Sequence, residues 1–323
     1  MMRRWYLIIA IFFSLIVETS AQAAAKLESP NVTVGIHVNG IRSISYKNNT
    51  FTVDFSLWFR WQGNDLNPHK SFKLPGAKIE SIRYAADTLL YKGGARFAVV
   101  DIVATFDTKW DINNFPFDKQ VLSIRVEEQE AEHDEVLYIA DKENIAKAEK
   151  LEIQGWEIKS ARSFISENRY ETNFGDLRIP PGENYHSTQF NYEMRIVRKS
   201  WLIGMKLLIA PIVAIFLMNV VLRLPASESS RMSVATAALF ALVSSNYIVI
   251  GMLPDSEGYS FAEKLITHGL IQSGLYLVGT IASLKHIRAS EADAANRIDH
   301  RMFYFFTASN VAFVAYAAYA LVA

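Results

Sequence analysis

Four long apolar stretches after residue 200 constrain the fold of this chain more than any other feature of its sequence. Each is close to the ~20 residues that an α-helix needs to cross the hydrocarbon core of a bilayer. They are roughly Trp201–Leu224, Met232–Leu253, Phe261–Leu284 and Met302–Val322. A soluble bundle would need helices with a polar face, which these stretches lack. We therefore predict an all-α bundle of four transmembrane helices over residues 200–323.

The chain begins with the pattern of a secretory signal peptide. Two arginines precede the apolar run Trp5–Val17, and the small residues Ala21–Ala23 form a cleavage site. We expect residues 1–23 to be removed and the mature chain to begin near Ala24, outside the cytoplasm. An uncleaved N-terminal anchor is the alternative. The sequence contains no cysteine, so disulfides and thiol chemistry are excluded.

Residues 24–199 are polar and alternating, and they predict one all-β domain outside the membrane. In Phe51–Trp61 every second side chain is apolar, with mainly polar residues between, which is typical of a strand with one buried face. Similar runs recur with turn residues between them, as in Phe97–Phe106 and Phe190–Lys199. Short strands at this spacing favour an immunoglobulin-like β-sandwich.

Basic residues predict the orientation of the helices. An exported N-terminal domain places the first connector between helices and the third, Lys285–Arg301, in the cytoplasm. Those connectors carry Arg223, Arg231, Lys285, Arg288, Arg297 and Arg301. This agrees with the positive-inside rule and leaves both termini of the mature chain outside the cytoplasm. The formal net charge is +0, and without a basic stripe we expect no nucleic-acid partner.

One loop, WDINNFPFDKQ (Trp110–Gln120), has an unusual composition. Pro116 lacks an amide proton and restricts the residue before it, so the segment is predicted to be a turn. Phe115, Phe117 and the following Asp118 make it an apolar wedge tipped with a carboxylate. A turn this apolar is expected to press against something other than water.

Together, the exported β-domain, the four apolar helices and the Phe-Pro-Phe-Asp turn resemble the pentameric ligand-gated ion channels, or Cys-loop receptors, and in particular their bacterial members. The stretch RIVRKSW (Arg195–Trp201), which leads into the first helix, and the short third connector add to the resemblance. In the family the signature loop is often flanked by two cysteines. Thr108 and Leu122 stand at the corresponding places here, so the disulfide is absent, as in bacterial relatives.

The resemblance implies a homopentamer in the bilayer of the bacterial inner membrane. A small-molecule, proton or ion agonist would bind between neighbouring β-domains and open a central pore for inorganic ions. No cofactor, metal or catalytic residue is implied, and the sequence has no P-loop, G-x-S-x-G or H-E-x-x-H motif, so we do not expect an enzyme. A non-conducting, membrane-anchored periplasmic sensor is the alternative function.

In the family the wedge rests on the top of the helices, which implies that Phe115, Pro116 and Phe117 lie at the boundary between the two domains. Asp118 would then face a cation just before the first helix, and Arg198 is the best match. Such a pair would couple the domains during gating, and breaking it would leave one charge unpaired. The alternative is that Asp118 only caps the turn through backbone hydrogen bonds.

The second apolar stretch carries the candidate pore lining. Steps of four and three residues select one stripe of small, hydroxylated and aromatic side chains. The stripe consists of Ser233, Ala237, Phe240, Ser244, Tyr247 and Gly251. The resemblance selects the same face, and in a pentamer each residue becomes a ring. A ring of Phe240 would gate by dewetting, unless Phe240 and Tyr247 are packing residues.

We expect the pore to select cations. Cation-selective relatives carry a glutamate before, or close to, the basic residue that opens this helix. Here that basic residue is Arg231, and Glu228 is the nearest acid. Five such carboxylates at the inner mouth would attract cations. The Pro-Ala pair typical of anion-selective relatives stands too early, at Pro225–Ala226.

The resemblance also implies a ligand site made of aromatic and charged side chains from neighbouring β-domains. Trp58 and Arg60 would line the complementary side, and Arg83, Tyr84 and Asp141 the principal side; Tyr170, Phe174 and Tyr185 would come from the capping hairpin Arg169–Phe190. Alternatively, Trp58 and Trp61 belong to the core. The sequence does not name the agonist.

An acidic run in the β-domain and a histidine in the third apolar stretch are two further features of the sequence. The acidic run Glu127–Glu135 is interpreted as a solvated loop, with a proton or divalent-cation sensor as the alternative. His268, in the third apolar stretch, is an ionisable group at membrane depth and hence a functional candidate. A hydrogen-bonded packing histidine is the favoured interpretation.

Overall fold

The computed structural model describes residues 31–63, 66–91, 93–128, 136–143, 151–175, 179, 182, 184–255 and 258–322. The predicted signal peptide (residues 1–23), the expected mature start at Ala24 and residues 129–135 of the acidic run lie outside the described residues. Within the described part, a β-rich N-terminal region with two sheets precedes four long apolar helices. The predicted change of character near residue 200 is confirmed as a change from strands to helices.

The described strands form a five-stranded sheet and a four-stranded sheet. They are β1 (Asn31–Ser45), β2 (Thr50–Gln62), β3 (Phe72–Lys73), β4 (Ala77–Leu90), β5 (Ala95–Asp107), β6 (Lys119–Glu128), β7 (Leu137–Ala140), β8 (Trp156–Arg169) and β9 (His186–Arg198). The first sheet has the order β4-β5-β2-β1-β7 and the second the order β3-β6-β9-β8. β1 and β7 pair in parallel; the other neighbours are antiparallel.

Alternating side chains explain why these segments form sheets with one buried face. On β2 the apolar positions are at most 2% exposed: Phe51, Val53, Phe55, Leu57, Phe59 and Trp61. In the second sheet the buried set is Leu122, Ile124 and Val126 of β6 with Phe190, Tyr192, Met194 and Ile196 of β9. Both sets belong to one hydrophobic cluster, so burial of the two faces stabilises the β-region.

The four predicted spans are confirmed as helices long and apolar enough to cross a membrane, as in a multi-pass membrane protein. They are α1 (Trp201–Val221), α2 (Ser230–Met252), α3 (Phe261–Arg288) and α4 (Ala292–Val322). At the start of α1, the Ser200 hydroxyl accepts a hydrogen bond from the Leu202 N–H at 3.2 Å. At the start of α3, Ser260 and Glu263 form a capping box.

The predicted connector Lys285–Arg301 is wrong in extent. α3 continues to Arg288 and α4 starts at Ala292, so a turn of three residues, 289–291, separates them. Alanine, glutamate, lysine and arginine are good helix formers, and they extend both helices beyond their apolar parts.

α2 has one buried face, against α1 and α3. That face consists of Arg231, Ala235, Ala238, Leu242, Ser245 and Val249. Gly269 of α3 permits the close approach, since an added Cβ would lie 2.8 Å from Leu242 and 3.0 Å from Ile215 of α1. On α4, Tyr304, Val311 and Tyr319 are exposed, as suits a helix that contacts lipid.

Candidate functional site

The loop between β5 and β6 joins the β-region to the helices through backbone hydrogen bonds. The first N–H groups of a helix have no partner within the helix. The carbonyl of Asn113 accepts from the Phe261 N–H at 2.9 Å, and that of Phe115 accepts from the Ala262 N–H at 3.1 Å. The next N–H of α3, from Glu263, is satisfied by the Ser260 hydroxyl at 3.2 Å. The loop therefore caps α3, and the two parts share hydrogen bonds that neither could make alone.

The apolar wedge is pressed against the ends of α1 and α3. Phe115 is 2% exposed, and the ring of Phe117 lies 6.0 Å from that of Phe261. Gly204 of α1 makes room for the wedge, because an added Cβ would lie 2.7 Å from Phe117 and 3.1 Å from Pro116. The peptide bond between Phe115 and Pro116 is cis. The apolar character of this turn is thus explained by its contact with the helices.

Asp118 is a buried carboxylate with three side-chain partners from separate elements. It is 2% exposed, and it accepts from the Arg198 Nε at 3.3 Å, from the Gln120 Nε2 at 2.6 Å and from the Tyr46 hydroxyl. The guanidinium of Arg198 also lies 4.1 Å from the ring centroid of Trp156, a cation–π contact. The carboxylate therefore joins β9, β6 and the turn after β1, which is more than a turn cap requires.

The environment of Asp118 also affects the pKa of the Tyr46 hydroxyl. Burial and then the charge of Asp118 raise the pKa of Tyr46 above its ordinary value, so the phenol remains a hydrogen-bond donor throughout the physiological pH range. Sequence reasoning missed Tyr46 and Gln120 as partners. Tyr46 follows the alternation of β1 into a turn, and nothing in its local sequence indicates a contact 72 residues away.

On α2 the six predicted pore-lining positions lie on the exposed side. Phe240 is 68% and Tyr247 73% exposed, and the other four are exposed as well: Ser233, Ala237, Ser244 and Gly251. At about 100° per residue, the stripe is centred almost opposite the buried face of the same helix. Within one chain, nothing from the described residues of α1 or α3 covers this stripe at Phe240 or Tyr247, where most of each side chain is accessible.

At the start of α2, Arg231 is directed into the bundle. It is 0% exposed and forms a bidentate pair with Asp299 of α4, with distances of 2.8 and 2.9 Å. Ser283 of α3 donates to the same carboxylate at 2.6 Å. Three helices are thereby joined at one end by a buried ion pair, while Glu228, just before α2, is exposed. Sequence reasoning missed Asp299 and Ser283.

The candidate ligand residues fall into three groups: the pair Trp58 and Asp141, the β-strand residues Arg60, Arg83 and Tyr84, and the aromatic residues of the hairpin. Trp58 of β2 donates from its Nε1 to Asp141 at 3.0 Å, so these two side chains lie together within one chain. Arg83 of β4 pairs with Asp101, and Tyr84 lies edge-on to His69, with ring centroids 6.1 Å apart. Arg60 is exposed on β2.

The third group is the hairpin trio Tyr170, Phe174 and Tyr185, whose ring centroids lie 5.1 to 5.9 Å from one another. Two residues that sequence reasoning did not place there, Lys73 and Glu127, join this group. The expectation of a solvated acidic run is wrong for its first two members, because Glu127 is 0% and Glu128 3% exposed at the end of β6. Their burial follows from the strand, which extends to Glu128.

His268 of α3 has the contacts of a packing histidine. Its Nε2 lies 3.0 Å from the Asn310 Oδ1 of α4, and its ring stacks on Phe313 with centroids 4.7 Å apart. Among the described residues, no group of three or more histidine, aspartate or glutamate side chains could hold a metal ion.

Comparison with known proteins gives no assignment: no family model matches this chain, and no curated protein matches it. The candidate functional site therefore consists of the junction around Asp118 and the exposed face of α2.

We expect Asp118 and Arg198 to be energetically coupled. Asp118→Asn removes the charged partner of a cation that is 20% exposed, and a double-mutant cycle with Arg198→Gln should give a coupling of about 0.5–3 kcal/mol. Thermal unfolding of the detergent-solubilised chain measures it. Asp107→Asn, at an exposed aspartate ending β5, should stay within about 0.5 kcal/mol of the parent. A coupling of zero would show that the contact between Asp118 and Arg198 does not join the loop to β9 energetically.

The pair between Arg231 and Asp299 generates a second prediction. Asp299→Asn leaves a fully buried guanidinium without its anion, which should cost about 3–5 kcal/mol of stability. Asp293→Asn is the matched control, because Asp293 is an exposed aspartate nearer the start of α4. This substitution should change the stability little. Chemical denaturation in detergent compares the two. Equal effects from both substitutions would contradict the assignment of the buried pair.

Proposed function

We propose that this chain is one subunit of a homopentameric, ligand-gated, cation-selective ion channel of the bacterial inner membrane. In this proposal the β-region is an immunoglobulin-like, extracytoplasmic ligand-binding domain, and α2 lines the pore. The observation that carries the proposal is the exposed stripe of α2, opposite the face that packs into its own bundle. The number of subunits in the proposed ring, five, comes from the family resemblance noted in the sequence.

The hydroxyl groups on the stripe support the proposal that this face of α2 is in contact with water. A helix in contact only with lipid gains nothing from hydroxyl groups on its exposed face, because hydrocarbon offers them no hydrogen-bond partner. Ser233 and Ser244 are exposed on this face. When copies assemble around an axis, each of these residues contributes to a ring that faces water, and the buried face of each α2 remains packed against its own α1 and α3.

The environment of Arg231 supports cation selectivity. Because its guanidinium is buried against Asp299, it contributes no exposed positive charge to the inner mouth of a pore. Glu228 is exposed in the connector just before α2. A ring of five Glu228 carboxylates would then dominate the local potential and attract cations.

The junction supports coupling between ligand binding and the pore. The loop Trp110–Asp118 holds the N-terminus of α3 through backbone hydrogen bonds, and Asp118 ties that loop to Arg198, three residues before α1. A displacement of the strands would be transmitted to both helices through these hydrogen bonds, whose lengths are 2.9 to 3.3 Å.

Phe240 is the candidate gate, and its replacement tests the proposed function. A closed apolar ring excludes water because it cannot replace the hydration shell of an ion. In Phe240→Ser, hydroxyl groups lower the cost of wetting. We expect at least about a tenfold rise in open probability without agonist, equivalent to about 1.4 kcal/mol in the gating equilibrium. Planar-bilayer recordings of the purified protein measure it.

Leu239→Ser is the control, one step round the helix at a half-buried position. It should lower stability or expression and leave gating near that of the parent. If Leu239→Ser leaks while Phe240→Ser gates like the parent, the wrong face of α2 has been assigned to the pore. Purified protein that gives no single-channel steps under any condition would contradict the channel itself.

A further inference from the structure

A row of polar side chains on α3 is buried inside the helix bundle. Gln272, Tyr276, Thr280 and Ser283 are at most 3% exposed. Their spacing of three and four residues places them on one face of the helix, and we call these four residues the polar column. At 1.5 Å per residue, the column is about 16 Å long. A polar face of this length within apolar helices needs hydrogen-bond partners, because hydrocarbon supplies none.

Three atoms of the polar column make no direct hydrogen bond within the part of the chain that the structure describes. They are the Gln272 Oε1, the Tyr276 hydroxyl and the Thr280 Oγ1. The Nε of Arg231, on the neighbouring helix α2, also has no direct partner there. A buried polar group without a hydrogen bond costs free energy, so four of them in one bundle require a physical explanation.

Other hydroxyl groups in the helices are satisfied by the backbone of their own helix. Ser273 donates to the carbonyl of Leu270 at 2.8 Å, and Thr236 donates to that of Met232 at 2.9 Å. Such bonds to a preceding carbonyl are the usual arrangement for a hydroxyl in a membrane helix. The Thr280 hydroxyl does not form one, so its partner has to come from another source.

Tyr276 and Arg231 interact without a direct hydrogen bond. Tyr276 lies close enough to interact with the charge of the guanidinium, yet neither its hydroxyl nor the Arg231 Nε has a direct partner. Polar groups in this relation are commonly joined by a bridging water molecule. The other two nitrogens of Arg231 are held by Asp299 at 2.8 and 2.9 Å, so the guanidinium is fixed and does not turn towards the tyrosine.

The donors and acceptors along the column fit a chain of water molecules. The Arg231 Nε only donates and the Gln272 Oε1 only accepts, whereas hydroxyl groups do both. A row that begins at a donor and ends at an acceptor takes a neutral molecule that donates and accepts, which water does. Side chains four residues apart on a helix have their Cβ atoms about 6 Å apart. One water molecule with two hydrogen bonds of about 2.8 Å spans that distance.

A cavity at the end of the bundle that holds the buried ion pair gives water a way in. Its volume is about 320 Å³, and its lining includes Asp299 and His300 of α4 and the segment 222–225 after α1. The cavity therefore reaches the carboxylate to which Ser283, the last residue of the polar column, donates at 2.6 Å. Since a water molecule occupies about 30 Å³ in the liquid, several fit there.

We propose that the polar column is a binding site for a chain of water molecules, which enters the bundle from this cavity and ends at Gln272. The water satisfies the hydroxyl groups of Thr280 and Tyr276 and the Nε of Arg231. The opposite end of α3 stays dry, because its buried side chains between Phe261 and Ile266 are apolar. The site lies within one chain and does not rest on the proposed function.

X-ray radiolysis tests the proposal, because it generates hydroxyl radicals from bound water, and these oxidise the nearest side chains. The full chain is irradiated in lipid nanodiscs, and the oxidation rate of each aromatic residue is measured by mass spectrometry. We expect Tyr276 to be oxidised although it is 0% exposed. Phe55, also 0% exposed but in the apolar core of the β-region, should remain unmodified. Equal rates for the two residues would overturn the proposal.

Substitutions in the column sharpen this test. Thr280→Leu fills the column with an apolar side chain and should reduce the oxidation rate of Tyr276 to that of Phe55. Val278→Leu enlarges a side chain of the same helix that is 67% exposed, and it is the control that should leave the rate unchanged. A Tyr276 rate that Thr280→Leu does not lower would contradict the water chain.

Thr280→Val removes the hydroxyl and keeps the shape of the side chain, so it serves should Thr280→Leu not fold. We expect its Tm to fall, because the bound water loses a hydrogen-bond partner. A hydroxyl that is dry and unpaired gives the opposite sign, since its removal relieves a buried unsatisfied group. A rise in the Tm of Thr280→Val would therefore overturn the proposal.

Discussion

The buried carboxylate of Asp118 is the interaction on which the connection between strands and helices depends. A carboxylate that is 2% exposed is tolerated only with partners that replace its hydration. Arg198, Gln120 and Tyr46 provide them, and each belongs to a different element. Satisfying one charge therefore fixes the relative positions of β9, β6 and the turn after β1. The wedge beside it is then held against α1 and α3, where its carbonyls cap the first N–H groups of α3.

A buried charge that needs a partner also explains why α2 has one buried and one exposed face. At one end Arg231 requires an anion inside the bundle, and Asp299 with Ser283 fixes the rotation of the helix about its axis. Once that rotation is set, Leu242 and Val249 are buried while Phe240 and Tyr247 are turned outward. The exposed stripe is thus a consequence of a buried ion pair, and in the proposed channel that pair would determine which side chains face the pore.

The sequence predicted those parts of the structure that depend on local pattern. Alternation on β2 identified its buried face, and apolar length identified the four helices, because both signals repeat within one element. Pairs between distant polar residues were harder to predict: Arg231 and Asp299 are 68 residues apart, and Lys73 and Tyr170 are 97 apart. Neither pair has a local signature, since an isolated lysine or aspartate fits a solvated surface equally well. The resemblance put forward Asp118 and Arg198, whereas their partners Tyr46 and Gln120 emerged only from the packing.

The proposed function requires the exposed stripe of α2 to face water in an assembly of copies. The chain contains no cysteine, so a single introduced thiol reports on one position. Ser244→Cys lies on the stripe, and Ser245→Cys lies on the buried face one residue further along. In protein reconstituted into liposomes, a charged, membrane-impermeant thiol reagent is predicted to modify Ser244→Cys and to leave Ser245→Cys unmodified. Modification of Ser244→Cys only by a lipid-soluble maleimide would show that the stripe faces lipid and would contradict this account.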